Sequence, residues 1–104
     1  MENGYQLIVA IVDKGFTDLV MNAAREKGAR GGTVLSARGT SNKEIEEKFK
    51  IAISSEKEIV LILSEEATSD DILQAINEAA GLHTKGRGIA FALPVEDVAG
   101  LKFN

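Results

Sequence analysis

Apolar residues run unbroken over positions 7–12 (Leu-Ile-Val-Ala-Ile-Val) and again over 59–63 (Ile-Val-Leu-Ile-Leu). Runs of this length, rich in β-branched residues, mark strands inside a sheet. The first strand is expected over residues 5–12, and Asp13-Lys14-Gly15 breaks it. Over residues 16–27 the apolar positions fall at Phe16, Leu19, Val20, Ala23 and Ala24, which is helical spacing. Thr17 is the expected cap of that helix, and Gly28 stands where a left-handed residue closes one. Thr33 to Ala37 reads as the second strand.

Residues 38–50 are polar and charged, so they read as a loop with a helical turn at 43–48. Residues 49–53 (Phe-Lys-Ile-Ala-Ile) alternate as a half-buried strand would, turn at 54–57, and resume as the strand ending at Leu63. Thr68-Ser69-Asp70-Asp71 is expected to open a second helix, with Ser69 as its cap and the acids favouring its positive end. Its buried stripe is Ile72, Leu73, Ile76, Ala79 and Ala80, and Gly81 ends it. The last strand spans residues 88–93, is closed by the chain's single proline, Pro94, and is followed by a turn at 95–98.

The order is β-α-β-β-α-β. It predicts an α+β, ferredoxin-like domain over residues 1–104, with one antiparallel sheet and both helices on one face. The other face carries apolar side chains with nothing to cover them. Another subunit is the expected cover.

Composition narrows the function. Apolar residues make up 44% of the 104 positions and aromatics only 5%, so Ile, Leu, Val and Ala fill the core. The net charge of −4 comes from interspersed acids and bases, which argues against nucleic acid as a partner. No cysteine is present, so disulfides and thiolate metal sites are excluded. No apolar run reaches the roughly 18 residues of a membrane span. The first residues lack the basic flank and apolar stretch of a secretory signal, and a cytoplasmic location is expected.

Candidate chemistry concentrates in glycine-bearing stretches. Gly86-Arg87-Gly88 lets backbone N–H groups converge on an anion, with Lys85 and Arg87 supplying positive charge. A tight turn into an edge strand explains the same glycines. Gly31-Gly32 before Thr33 eases a turn from helix to strand. Arg38-Gly39 stands at the mouth of the charged loop, where an arginine reaches a phosphate or carboxylate, or is merely solvated. His83, the only histidine, is a surface-loop residue or one ligand of a three-fold metal site. Glu44, Glu46 and Glu47 with Lys43, Lys48 and Lys50 form a charged face that is solvated or docks a partner. Serine-elbow and cysteine nucleophiles are absent.

These residues, in this order, resemble the PII signalling-protein superfamily. The resemblance rests on Gly31-Gly32-Thr33-Val34, Arg38-Gly39, Glu65-Glu66 and Gly86-x-Gly88-x-x-Phe91-x-x-Pro94-Val95-Glu96-Asp97-Val98. It covers nearly the whole chain except the loop after Gly39. It implies a homotrimer with ligand clefts between subunits, a signalling loop between the second and third strands, and a phosphate-cradling loop at residues 84–88. Ile11, Thr33, Gly39 and Ile62 match positions that line the family's adenosine pocket, and Gly86 and Gly88 match its phosphate-cradling glycines.

The departures are informative. Arg87, Gly88 and Ile89 stand where typical nitrogen-regulatory members have Asp, Gly and Lys, so the phosphate lysine is missing. The signalling loop is shorter and has no tyrosine, so uridylylation of that loop is not expected. Lys43 stands where those members place the glutamine that helps hold magnesium and 2-oxoglutarate. The sequence also stops at Asn104, before the arginines that often complete the triphosphate site. The expected function is therefore a non-catalytic, cytoplasmic PII-like regulator, a homotrimer binding a small anionic effector, with an adenine nucleotide first and no obligatory cofactor. Ile11, Thr33, Arg38, Gly39, Ile62, Lys85, Gly86, Arg87 and Gly88 would hold the effector. The loop at 38–50 would control a membrane transporter or a metabolic enzyme. Two alternatives are a divalent-metal-binding trimer similar to cation-tolerance proteins and an acylphosphatase-like hydrolase. The hydrolase needs an arginine-bearing anion loop directly after the first strand, which Asp13-Lys14-Gly15 does not supply.

Overall fold

The structure is a computed structural model that describes residues 4–40, 43–50, 55–82 and 88–101. Four strands form one sheet: β1 (Tyr5–Asp13), β2 (Thr33–Arg38), β3 (Glu56–Glu65) and β4 (Gly88–Val95). Three helices accompany them: α1 (Thr17–Glu26), α2 (Lys43–Phe49) and α3 (Glu66–Ala79). The strand order is β2-β3-β1-β4, and every neighbouring pair is antiparallel. This is the expected ferredoxin-like arrangement, with α2 as an addition to it.

Register assigns each side chain to a face. Ile8 pairs with Ile62 and Ala92, and Ala10 with Val60 and Ala90. These residues and Val12 form the core with Val20, Met21 and Ala24 of α1 and with Ile72 and Ile76 of α3. Ile8, Ala10, Val60, Ile62, Val20, Ile72 and Ile76 are all 0% exposed, so α1 and α3 cover one face of the sheet completely along β1 and β3.

Five local expectations are corrected. Phe16, not Thr17, is the N-cap of α1, and no side chain caps it. The turn that closes on the Asp13 carbonyl through the Phe16 N–H already delivers the chain into the helix. Likewise α3 starts at Glu66 rather than at Ser69, because the Glu66 N–H bonds to the Gly4 carbonyl at 3.0 Å as β3 ends. Ser69 is thus inside the helix, buried, and its hydroxyl donates to Gln6 Oε1 at 3.1 Å. Ala79 is exposed, and the buried stripe of α3 is Ile72, Ile76 and the following Ala80, with Leu73 half-buried. Pro94 does not end β4, which runs on to Val95. An edge strand tolerates a missing donor on its outer side.

The fifth concerns the strand expected from Phe49: the helical turn expected at 43–48 is present as a full helix, Lys43–Phe49, which takes in the first residue of that strand. Glu and Lys are good helix formers, and Glu44 and Lys48 stand at the spacing that stabilises a helix surface. Lys50, with φ 53°, ends the helix in the left-handed region. Residues 51–53 lie outside the described residues.

Gly88 opens β4 with φ 146°, and a Cβ there would stand 2.3 Å from the Ile11 carbonyl oxygen. Backbone meets backbone at that point, so nothing nearby can yield. Gly88→Ala is expected to cost about 2–4 kcal/mol in urea unfolding. Gly31→Ala, with open space around the new methyl, should change stability by no more than about 0.5 kcal/mol. Truncation of the fully buried Ile76 to alanine should cost about 2–5 kcal/mol in the same measurement.

Candidate functional site

Alternation that turns Ile8, Ala10 and Val12 inward turns Leu7, Val9 and Ile11 onto the opposite face. Pairing extends this face into apolar rungs: Phe91-Val9-Leu61-Thr33, then Ile89-Ile11-Ile59-Leu35. No helix covers it. Ile89 is 58% exposed, Leu35 and Leu93 45%, and Phe91 38%. Edge strand β2 is exposed on both faces, since Val34 on the helix side is open too.

The candidate residues fall into two groups on this sheet. At one end, Ile11, Arg38, Gly39 and Gly88 share a rim with Asp13 and Lys57. Ile11 is half-buried in the middle of its rung. Arg38 ends β2 and is exposed, opposite Glu56. The Gly39 N–H donates to the Ser55 carbonyl at 2.8 Å, so it serves the ladder rather than a guest. A groove of about 490 Å³ runs between α3 and β4 beside Gly88, lined by Leu73, Gln74, Asn77, Leu82 and Ile89.

Thr33 stands apart from that rim, at the start of β2. A cavity of about 390 Å³ there is lined by Leu7, Arg30, Gly31, Thr33, Leu61 and Leu101. Gly32 is held tightly under it, because a Cβ would meet Met21 Sδ at 2.9 Å and the Leu61 carbonyl oxygen at 3.0 Å. Thr33 and Gly88 therefore sit on the two opposite edge strands, β2 and β4, with Thr33 level with Val9 through Leu61 and Gly88 across from Val12.

Ile11 and Ile62, both expected to hold the effector, do not share a face of the sheet. Ile62 is 0% exposed and belongs to the helix-facing side, whereas Ile11 belongs to the open side. Ile59 is the cross-strand partner that shares the open side with Ile11. Lys85, Gly86, Arg87 and His83 lie outside the described residues. Among the described residues, no three His, Cys, Asp or Glu side chains gather in reach of one metal ion.

Two features escaped the sequence reading. The turn after β1 donates its Gly15 N–H to Glu58 Oε1 at 2.9 Å, so the chain's own carboxylate occupies the donor an anion loop would present. Lys57 and Asp13 form a largely shielded ion pair on the open face. Only strand register, which aligns the end of β1 with the start of β3, brings those two charges together.

Comparison with known proteins places this geometry. The profile of the family described as nitrogen regulatory protein P-II matches residues 5–103. A solved structure of Arabidopsis thaliana PII bound to citrate superposes with a TM-score of 0.71 at 26% identity, over 93% of this chain and 80% of that one. A PII-like signalling protein from Thermus thermophilus has the same fold, with a TM-score of 0.69 at 19% identity over 94% of each chain. The search of curated proteins gives no match. No helix among the described residues is long and apolar enough to cross a membrane. With a match that takes in every described strand and helix, this chain belongs to the nitrogen regulatory protein P-II family.

Proposed function

We propose that the chain is a non-catalytic, cytoplasmic regulator, a single PII-like domain that assembles as a homotrimer and reads a small anionic effector at the seams between subunits. Family membership across residues 5–103 carries this reading. The open apolar face supports the assembly, since exposed apolar area of this extent calls for a protein cover. The placement of Thr33 and Gly88 on opposite edge strands supports a seam, where one subunit offers Gly31 to Thr33 and its neighbour the rim with Gly39 and Gly88.

An adenine nucleotide is the effector put first, on the strength of the resemblance of Gly86 and Gly88 to phosphate-cradling glycines. Lys85, Arg87 and Arg38 supply the cations, and Ile11 with Ile59 supplies the apolar contact. Citrate bound to the Arabidopsis thaliana PII supports the coarser statement that a relative takes a small anion. The segment at 38–50, with α2 in it, is the signalling element, and its target is a membrane transporter or a metabolic enzyme. The effector shifts that segment only by binding its two arrangements unequally.

Titration calorimetry with ATP, ADP, AMP, a cyclic nucleotide, citrate and bicarbonate, with and without magnesium, tests the reading. At least one of these anions should bind, and Arg87→Ala should weaken it about tenfold or more, the scale of a lost charge-assisted hydrogen bond. Heat signals absent for every one of them at millimolar concentration would contradict an effector site.

A further inference from the structure

The rim that joins β1, β2 and β3 holds a charge pair that the functional reading leaves unused. Asp13 ends β1, Lys57 is the second residue of β3, and the two are direct cross-strand partners. Their side chains therefore leave the sheet on one face, the open one, next to the Ile89-Ile11-Ile59-Leu35 rung. Lys57 Nζ stands 2.5 Å from Asp13 Oδ1, and the two side chains are only 12% and 21% exposed.

The lysine stem has a second contact. A Cβ built on Gly39 would stand 3.2 Å from Lys57 Cε and 3.3 Å from Cγ, so the stem fills the place of the side chain Gly39 lacks. Gly39 in turn closes the root of the excursion that carries α2, through its N–H bond to the Ser55 carbonyl. Lys57 thus touches the root with its stem and β1 with its head. Neighbouring charges are otherwise engaged: Glu56 faces Lys14 at 3.9 Å, and Glu58 accepts from the Gly15 N–H. Asp13 is the carboxylate that holds Lys57.

A long, rotamer-rich side chain stays across Gly39 only while its head is held. We propose that Lys57 is a positioning residue for the 38–50 segment: pinned by Asp13, it keeps Gly39, and with it the β2 end of that segment, in one arrangement. The functional importance of the pin rests on the reading of 38–50 as the signalling element. The pin itself needs no effector.

Hydrogen exchange in the effector-free protein tests it. Lys57→Met keeps the stem and removes the charge, and Asp13→Asn removes the anion at constant shape. Both are expected to speed exchange of the Gly39 amide about tenfold or more, with the α2 amides following and the Ala10 and Val60 amides unchanged. Lys57→Arg still reaches the carboxylate and is expected to retain protection. A Gly39 amide that exchanges at the wild-type rate in both charge-removing variants overturns the proposal. Equal acceleration at Ala10 and Val60 overturns it too, because the effect is then loss of global stability. So does a Lys57→Arg protein that behaves like Lys57→Met. Calorimetry separates the two readings. Effector binding beside unchanged Gly39 exchange removes the pin alone, whereas accelerated exchange beside no binding removes the effector site alone.

Discussion

The structure depends on the one-sided burial of a two-sided apolar sheet. Strands β1 and β3 carry apolar side chains at every position of their central stretch, yet α1 and α3 cover only the face of Ile8, Ala10, Val12, Val60 and Ile62. The other face has no helix on it among the described residues: Val9 at its centre is buried by its neighbours, Leu7, Ile11 and Leu61 are half-buried, and Leu35, Ile89, Phe91 and Leu93 are exposed. Covering the exposed halves of Leu35, Ile89, Phe91 and Leu93 is worth on the order of 1 kcal/mol each. Four such side chains sum to about 4 kcal/mol, a sizeable fraction of the folding stability of a small domain, about 5–15 kcal/mol. A protein cover over this face would add to the stability that α1 and α3 already supply.

That same geometry sets where a ligand can sit. Rigid ladder backbone carries Gly39 and Gly88 on one rim, and close approach to the Ile11 carbonyl accounts for Gly88 without any ligand. The rim also gathers the ends of β1, β2 and β3, so a change there reaches the root of the α2 excursion through Lys57. Gly31 and Thr33 stand apart from this rim, at the start of the opposite edge strand β2.

Much of the fold was legible in the sequence because its strands are strongly apolar and its long helices have a buried stripe. What was not legible has physical causes. The helical turn expected at 43–48 proves to be the full helix α2, Lys43–Phe49; its charge-rich sequence has little of the periodic apolar signature that would have marked its extent. Misplaced helix starts at Thr17 and Ser69 reflect backbone ties to Asp13 and Gly4, which override side-chain capping preferences. Ile62 was placed with Ile11 because an unbroken apolar run does not say which residues face which way. Register decides that, and it puts Ile59 on the open side with Ile11. The Asp13–Lys57 pair was hidden for the same reason. Lys85, Gly86 and Arg87 are motif residues whose geometry lies outside the described residues, so their part in the site rests on the resemblance of the motif.

Sedimentation equilibrium on the unaltered chain and on Phe91→Glu is the most direct test of covered sheet faces. The account predicts three times the chain mass for the first, and dissociation for the second while its helical signal persists. A monodisperse single-chain mass for the unaltered protein at micromolar concentration would contradict it.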